Sequence, residues 1–374
     1  MSATQFWERK GSQRCTLGTL DSVQFFHLGK GGGGSIYFLL KDHHLSFTRN
    51  HPLPKHTDQL VDGPSSTLLL NIRDPVDRFI SAFNWRALLM CKVDDERVTY
   101  PPKNEGDKKI NPIGNPNEAC FDRDNYFTME NRLIHDQLHD DLNNLAEALC
   151  DDSDGYESAV NDTKRIKHAT TTLSDWLEFL IDPAAHSEIK PQGIQKLMAI
   201  TSEKLQYNNS TESLLDWHTE QAIHELFLGY GLTEDEIELL LKYKPQLSIQ
   251  MQDRAEKVTH SSTKSVESSN NTGPPPLNKL GECCLARFLE KDYRLIRAML
   301  PKAIMKREEN DAIAKVVPLE NVHPLVGTAC SWGSLEQRRL CNAGLESMLG
   351  RRAPFLDQAV GSCREMMSNM NFEQ

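Results

Sequence analysis

No stretch of this 374-residue chain holds the roughly 18 consecutive apolar residues of a membrane-spanning helix. Met1 to Leu20 is polar and mixed in charge, the pattern of neither a secretory signal nor an anchor. The expected compartment is therefore the cytosol, with the secretory-pathway lumen as the alternative if the true N-terminus lies upstream. Basic charge is in deficit: 42 Lys and Arg stand against 53 Asp and Glu, a formal charge of −11. That excludes a general nucleic-acid binder, whose affinity comes from a basic field over phosphates. It leaves room for a small anion, which needs only backbone N–H groups and two or three cations. Metal-type cysteine spacing is also missing. The nine cysteines (15, 91, 120, 150, 283, 284, 330, 341 and 363) form no CxxC pair, so mostly reduced thiols are expected and no metal is called for. No internal repeat is evident.

Two short apolar runs near the start do carry a pattern. Val23 to Leu28 stops at Gly29-Lys30-Gly31-Gly32-Gly33-Gly34, and a second apolar run begins at Ser35. This reads as strand, glycine loop, helix. Thr67 to Ile72 leads into Arg73-Asp74-Pro75 and the amphipathic stretch to Phe83. Asp74 suits a helix N-cap and Pro75 the first helical position, so this too reads as strand, turn, helix. Leu45 to Asn50, ahead of His51-Pro52, is a further strand candidate. Repeated strand–helix units predict an α/β fold around a parallel sheet.

Beyond Arg86 the character changes. Residues 92–126 are rich in Pro, Gly, Asn and charge, as in a surface insertion. A helical region, 131–300, follows: Leu138, Leu142, Leu145 and Leu149 share one face, and capping patterns open at Thr172 and Thr233. The polar stretch 253–278, with His260, reads as a linker, and 279–300 as one helix ended by Pro301. Asp292 falls on that helix's apolar stripe, where a carboxylate needs a buried cap or ion-pair partner. Cys283-Cys284, Trp176 and Trp217 read as packing residues. Residues 301–374 show weak periodicity and read as an appendage to a domain spanning 20–300, whose core is 20–86.

The loop chemistry is that of an anion site. Glycines let the backbone approach a phosphate closely, Lys30 supplies charge, and Ser35 a hydroxyl at the helix start. The lysine precedes the glycines, opposite to the order of a nucleotide-triphosphatase P-loop. A glycine run alone also makes an ordinary flexible turn. The second unit adds a guanidinium at Arg73 and a hydroxyl at Ser81 about two helical turns later.

Phe26-His27-Leu28-Gly29-Lys30-Gly31-Gly32-Gly33-Gly34-Ser35 resembles the 5′-phosphosulfate loop of sulfotransferases that use 3′-phosphoadenosine 5′-phosphosulfate. Asn71-Ile72-Arg73-Asp74-Pro75-Val76-Asp77-Arg78-Phe79-Ile80-Ser81 resembles their 3′-phosphate motif, and Leu289 to Ile296 the closing helix of carbohydrate-type, Golgi-type members. The resemblance implies a three-layer, P-loop-like nucleotide-binding core with a helix-rich C-terminal half. It also implies transfer of a sulfuryl group to a hydroxyl, on a carbohydrate acceptor, with that nucleotide as co-substrate. Lys30, Gly31, Gly32, Gly33, Gly34 and Ser35 would hold the 5′ side, and Arg73 and Ser81 the 3′-phosphate. Lys30 would also stabilise the leaving oxygen. The base would be a histidine between the motifs, His51 first and His44 second, with His43 and His56 in the same interval. Two departures stand out: Gly31 and Gly34 replace hydroxyl residues, and Gly29 replaces a proline. A non-catalytic nucleotide-binding protein of the same fold and a P-loop-like kinase are the competing readings.

Overall fold

A computed structural model describes residues 23–26, 28–31, 48–50, 67–100, 119–121, 128–169, 172–175, 177, 196–201, 204–207, 210–213, 275–300, 326–331, 335–356 and 362–369. Its strands are β1 (Val23–Phe26), β2 (Thr48–Asn50), β3 (Thr67–Ile72), β4 (Val98–Tyr100), β5 (Ala119–Phe121), β6 (Lys196–Thr201), β7 (Lys204–Tyr207) and β8 (Ser210–Ser213). Its helices are α1 (Pro75–Leu89), α2 (Thr128–Asn131), α3 (Leu142–Ala148), α4 (Tyr156–Thr163), α5 (Lys279–Phe288), α6 (Glu290–Met299), α7 (Leu335–Leu356) and α8 (Cys363–Asn369). A π-helical segment, Arg132–Gln137, follows α2. Chain packing divides these elements into two units.

The first unit takes Met1–Asp74, Leu173–Arg254 and Tyr293–Arg351. Its centre is a four-stranded, wholly parallel sheet in the order β2-β1-β3-β6. Phe25 and Phe26 of β1, Leu68, Leu69, Leu70 and Ile72 of β3, and Leu197 of β6 are all buried. Near-continuous apolar runs of this kind mark strands covered on both faces. β2 lies on one side of β1 and β3 on the other, so the chain reverses its direction of travel across the sheet at the β1–β3 pair. In open parallel sheets, ligand crevices form beyond the carboxyl ends of the strands at such a reversal. β7 and β8 make a separate antiparallel pair. The stretch after 301, read above as an appendage, contributes to both units. In the first unit the Ala199 amide on β6 donates to the Ala329 carbonyl at 3.0 Å. Gly344 of α7 lies so close to Thr201 that a side chain there would collide with the threonine hydroxyl.

The second unit takes Pro75–Thr172, Ala255–Asp292 and Arg352–Gln374. α1 starts at the Pro75 expected from sequence and buries Val76, Phe79, Ala82 and Phe83. Leu138, Leu142, Leu145 and Leu149 are all buried, but the single helix expected to carry them is broken: Leu138 closes the π-helical segment and α3 runs only from Leu142 to Ala148. Gly281 of α5 allows the close approach of α3: an added Cβ would stand 3.1 Å from that of Ala146. Asn278 caps α5 by accepting from the Gly281 amide at 2.8 Å. The expected single helix over 279–300 is divided at Leu289, where α5 ends and α6 begins. Asp292 is buried, as its place on the apolar stripe requires. Within 92–126, β4 and β5 form a parallel pair.

The expectation of reduced thiols is overturned. Four disulfides are present: Cys91–Cys120, Cys150–Cys284, Cys283–Cys363 and Cys330–Cys341. Three of them join cysteines 29, 134 and 80 residues apart, distances over which local spacing carries no sign of pairing. Adjacent residues on a helix point in different directions, so Cys283 and Cys284 reach different partners and do more than pack. Among the described residues, no helix is long and apolar enough to cross a membrane.

Candidate functional site

The loop after β1 is a tight turn closed by the Gly31 amide donating to the Leu28 carbonyl at 3.1 Å. At its apex Lys30 adopts φ 63°, a left-handed conformation, which costs a residue with a side chain about 1–2 kcal/mol. Its neighbours on β3 hold the turn in place. Arg73 Nη1 donates to the Lys30 carbonyl at 3.2 Å, and Asn71 Nδ2 donates to the Gly31 carbonyl. Both come from the carboxyl end of β3, beside the sheet's reversal point.

Gly31 is glycine for a steric reason. A Cβ there would lie 2.7 Å from Asn71 Nδ2, nearer than non-bonded atoms approach without a shift of the chain. The space that a side chain at Gly31 would need is occupied by the Asn71 amide.

Electrostatically the turn is unusual. Burial and then the neighbouring Arg73 guanidinium push the Lys30 ammonium down to about 8 from 10.5. Two cations held together at strand ends form a concentrated positive spot in a chain of net charge −11. Perturbed cations of this kind collect at functional sites. Arg73 is only part-buried, and its Nε and Nη2 make no hydrogen bond among the described residues. That leaves the guanidinium edge with the geometry for bidentate binding of a phosphate or carboxylate. Asp74, next in sequence, is fully buried. It accepts from the Tyr293 hydroxyl at 3.1 Å and from Arg351 Nη2 at 3.4 Å.

Of the residues expected from sequence, Lys30, Gly31 and Arg73 therefore come together. Ser81 lies on α1 in the second unit and is part-exposed. Gly32, Gly33, Gly34, Ser35, His44 and His51 lie outside the described residues. Sequence reasoning gave no role to Asn71, Tyr293 or Arg351. Asn71 did leave a signal, since it is the polar residue inside the apolar run Thr67 to Ile72, and a buried amide needs a partner. Arg351 left none, because its partner Asp74 is 277 residues away.

Comparison with protein-family models, with curated proteins and with solved structures gives no match.

Proposed function

We propose that the chain is a sulfotransferase that uses 3′-phosphoadenosine 5′-phosphosulfate and modifies a hydroxyl on a carbohydrate. The observation that carries this reading is the pairing of Lys30 and Arg73 at the strand ends of β1 and β3, with Arg73 Nε and Nη2 making no hydrogen bond among the described residues. A compact cationic spot with bidentate capacity fits a phosphate-bearing substrate. The parallel sheet supports assignment of a nucleotide-binding core to the region around β1 and β3.

The nucleotide supplies an activated sulfuryl group. Lys30 neutralises charge as it develops on the oxygen that leaves sulfur, and a cation fixed in advance does this without reorganisation. Arg73 grips the 3′-phosphate. The backbone donors of the glycine loop, with Ser35, hold the 5′ side. His51, which directly follows β2 in sequence, is the first choice to take the acceptor's proton, and His44 the second. The acceptor class and the closing-helix role of α6 rest on the resemblance at 289–296. No metal is needed for an in-line displacement that a lysine and an arginine can stabilise.

The four disulfides favour an oxidising compartment, such as the secretory-pathway lumen, over the cytosol. An adenosine-ring competitor such as ATP is disfavoured by the order of the loop, which lacks the Lys-Ser/Thr ending of a P-loop.

The test is sulfuryl transfer by Lys30→Ala against a panel of carbohydrate acceptors. Transfer by the parent protein and loss of at least a hundredfold in the variant is expected, on the order of removing one transition-state charge contact. Undiminished transfer in Lys30→Ala contradicts the assigned role.

A further inference from the structure

We propose that Asn71 is a positioning residue for this site, its buried amide locking the Gly31 carbonyl to the end of β3 and thereby fixing the turn that presents Lys30. The ligand side of this inference rests on the nucleotide reading above; the conformational side stands on the turn alone.

The residue sits one position beyond the last β1–β3 pair, Phe26 with Leu70. It is 1% exposed, and its side-chain Nδ2 donates across the strand ends to the Gly31 carbonyl. Its Oδ1 is buried with no hydrogen-bond partner. A buried acceptor left unsatisfied works against folding, and the single bond from Nδ2 offsets only part of that cost. Asparagine is therefore a poor choice for the core alone. What it adds is a donor aimed at the turn.

Two further features agree with that assignment. Gly31 carries no side chain, and any Cβ there would press on the same Nδ2 atom at 2.7 Å. The adjoining carbonyl, that of Lys30, is held in the same manner by Arg73. Two successive carbonyls of the turn are thus engaged by donors from one strand end. Neither is left to repel an anion brought to Lys30, and Lys30 is kept at its left-handed φ. Without the Asn71 donor, the Gly31 peptide is free to rotate and the lysine to swing into solvent.

The experiment uses Asn71→Leu with three readouts. The first is trace acetylation of Lys30 by acetic anhydride across pH, followed by peptide mass spectrometry. The parent lysine is expected to titrate near its depressed value of about 8, and the variant's to move up toward that of an ordinary lysine. The second is Tm, expected to fall only modestly, since the change removes one unsatisfied buried acceptor, Oδ1, and strands another, the Gly31 carbonyl. The third is binding of adenosine 3′,5′-bisphosphate, expected to weaken about tenfold or more, the scale of one hydrogen bond that orders a site. An unshifted Lys30 titration in the folded variant overturns the proposal. If the parent binds the bisphosphate and the variant binds it equally, positioning fails while the nucleotide reading stands. If the parent does not bind it, the nucleotide reading falls and the Lys30 titration alone decides.

Should Asn71→Leu not fold, Gly31→Ala presses on the same amide from the other side and is expected to shift Lys30 likewise. In an Asn71→Ala background that glycine change should add less, only what its 3.2 Å approach to the Leu28 carbonyl costs, and full additivity would count against the coupling.

Discussion

Lys30 bears two costs at one position: a left-handed backbone, and an ammonium that is largely buried and held beside a guanidinium. Each is unfavourable by itself, and a bound anion would relieve the second. Strain and like charge at a single residue are features that persist where function uses them. Arg73 provides the sharper test of which anion. Under the proposed function its Nε and Nη2 edge takes the 3′-phosphate, so Arg73→Ala is expected to weaken adenosine 3′,5′-bisphosphate by roughly 10- to 100-fold, the range for a charged hydrogen bond. Adenosine 5′-monophosphate should lose much less in the same calorimetric titration. Equal losses for the two nucleotides would remove the 3′-phosphate contact. Both cations were legible in the sequence because each follows an apolar run that ends at a turn. Asn71 was passed over because its significance depends on Gly31, a residue forty positions away that the sheet brings beside it.

Among the elements, β1, β3 and α1 were the most legible. The two strands are covered on both faces and therefore read as unbroken apolar runs, and Asp74-Pro75 marks where α1 begins. The fixtures of α1 were not legible. Arg78 and Arg86 lie eight residues apart on one helical side and are both buried, although charged residues on an amphipathic helix read as solvent-facing. Arg78 Nη1 donates to the His168 carbonyl at 2.7 Å. Arg86 Nε and Nη2 form a two-bond pair with Glu130 at 2.7 and 2.6 Å, and the Lys167 amide donates to the same carboxylate at 2.9 Å. This cluster ties α1 to α2 and to the segment around Lys167. Burial and Arg86 lower the Lys167 ammonium below its ordinary value, Glu130 opposing them. Breaking one side of a buried pair strands the other charge, at a cost of about 3–5 kcal/mol. Arg86→Met is therefore expected to lower unfolding stability by that order in denaturant melts. A change under about 1 kcal/mol would show that the pair does not anchor the helix.

For the molecule as a whole, the largest gap between sequence and structure concerns cysteine. Eight of the nine cysteines in the sequence are paired, and the bridges in the second unit join Cys150, just past α3, to α5, α5 to α8, and Cys91 to β5. Pairings of this kind are a property of the folded arrangement, since loop closure over 134 residues leaves no local trace in the chain. The parallel sheet was legible as a class, from strand–helix alternation, but its order required the structure. That order brings the β1 turn and the end of β3 together, and the central claim depends on it: a cationic spot, in an acidic protein, shaped for a nucleotide carrying a 3′-phosphate. The most direct measurement is isothermal titration of the parent protein with adenosine 3′,5′-bisphosphate, adenosine 5′-monophosphate and ATP, with and without magnesium. The account predicts a single site for the bisphosphate, independent of magnesium and about tenfold or more tighter than either competitor. Tighter binding of ATP with magnesium, or no binding of the bisphosphate, would contradict it.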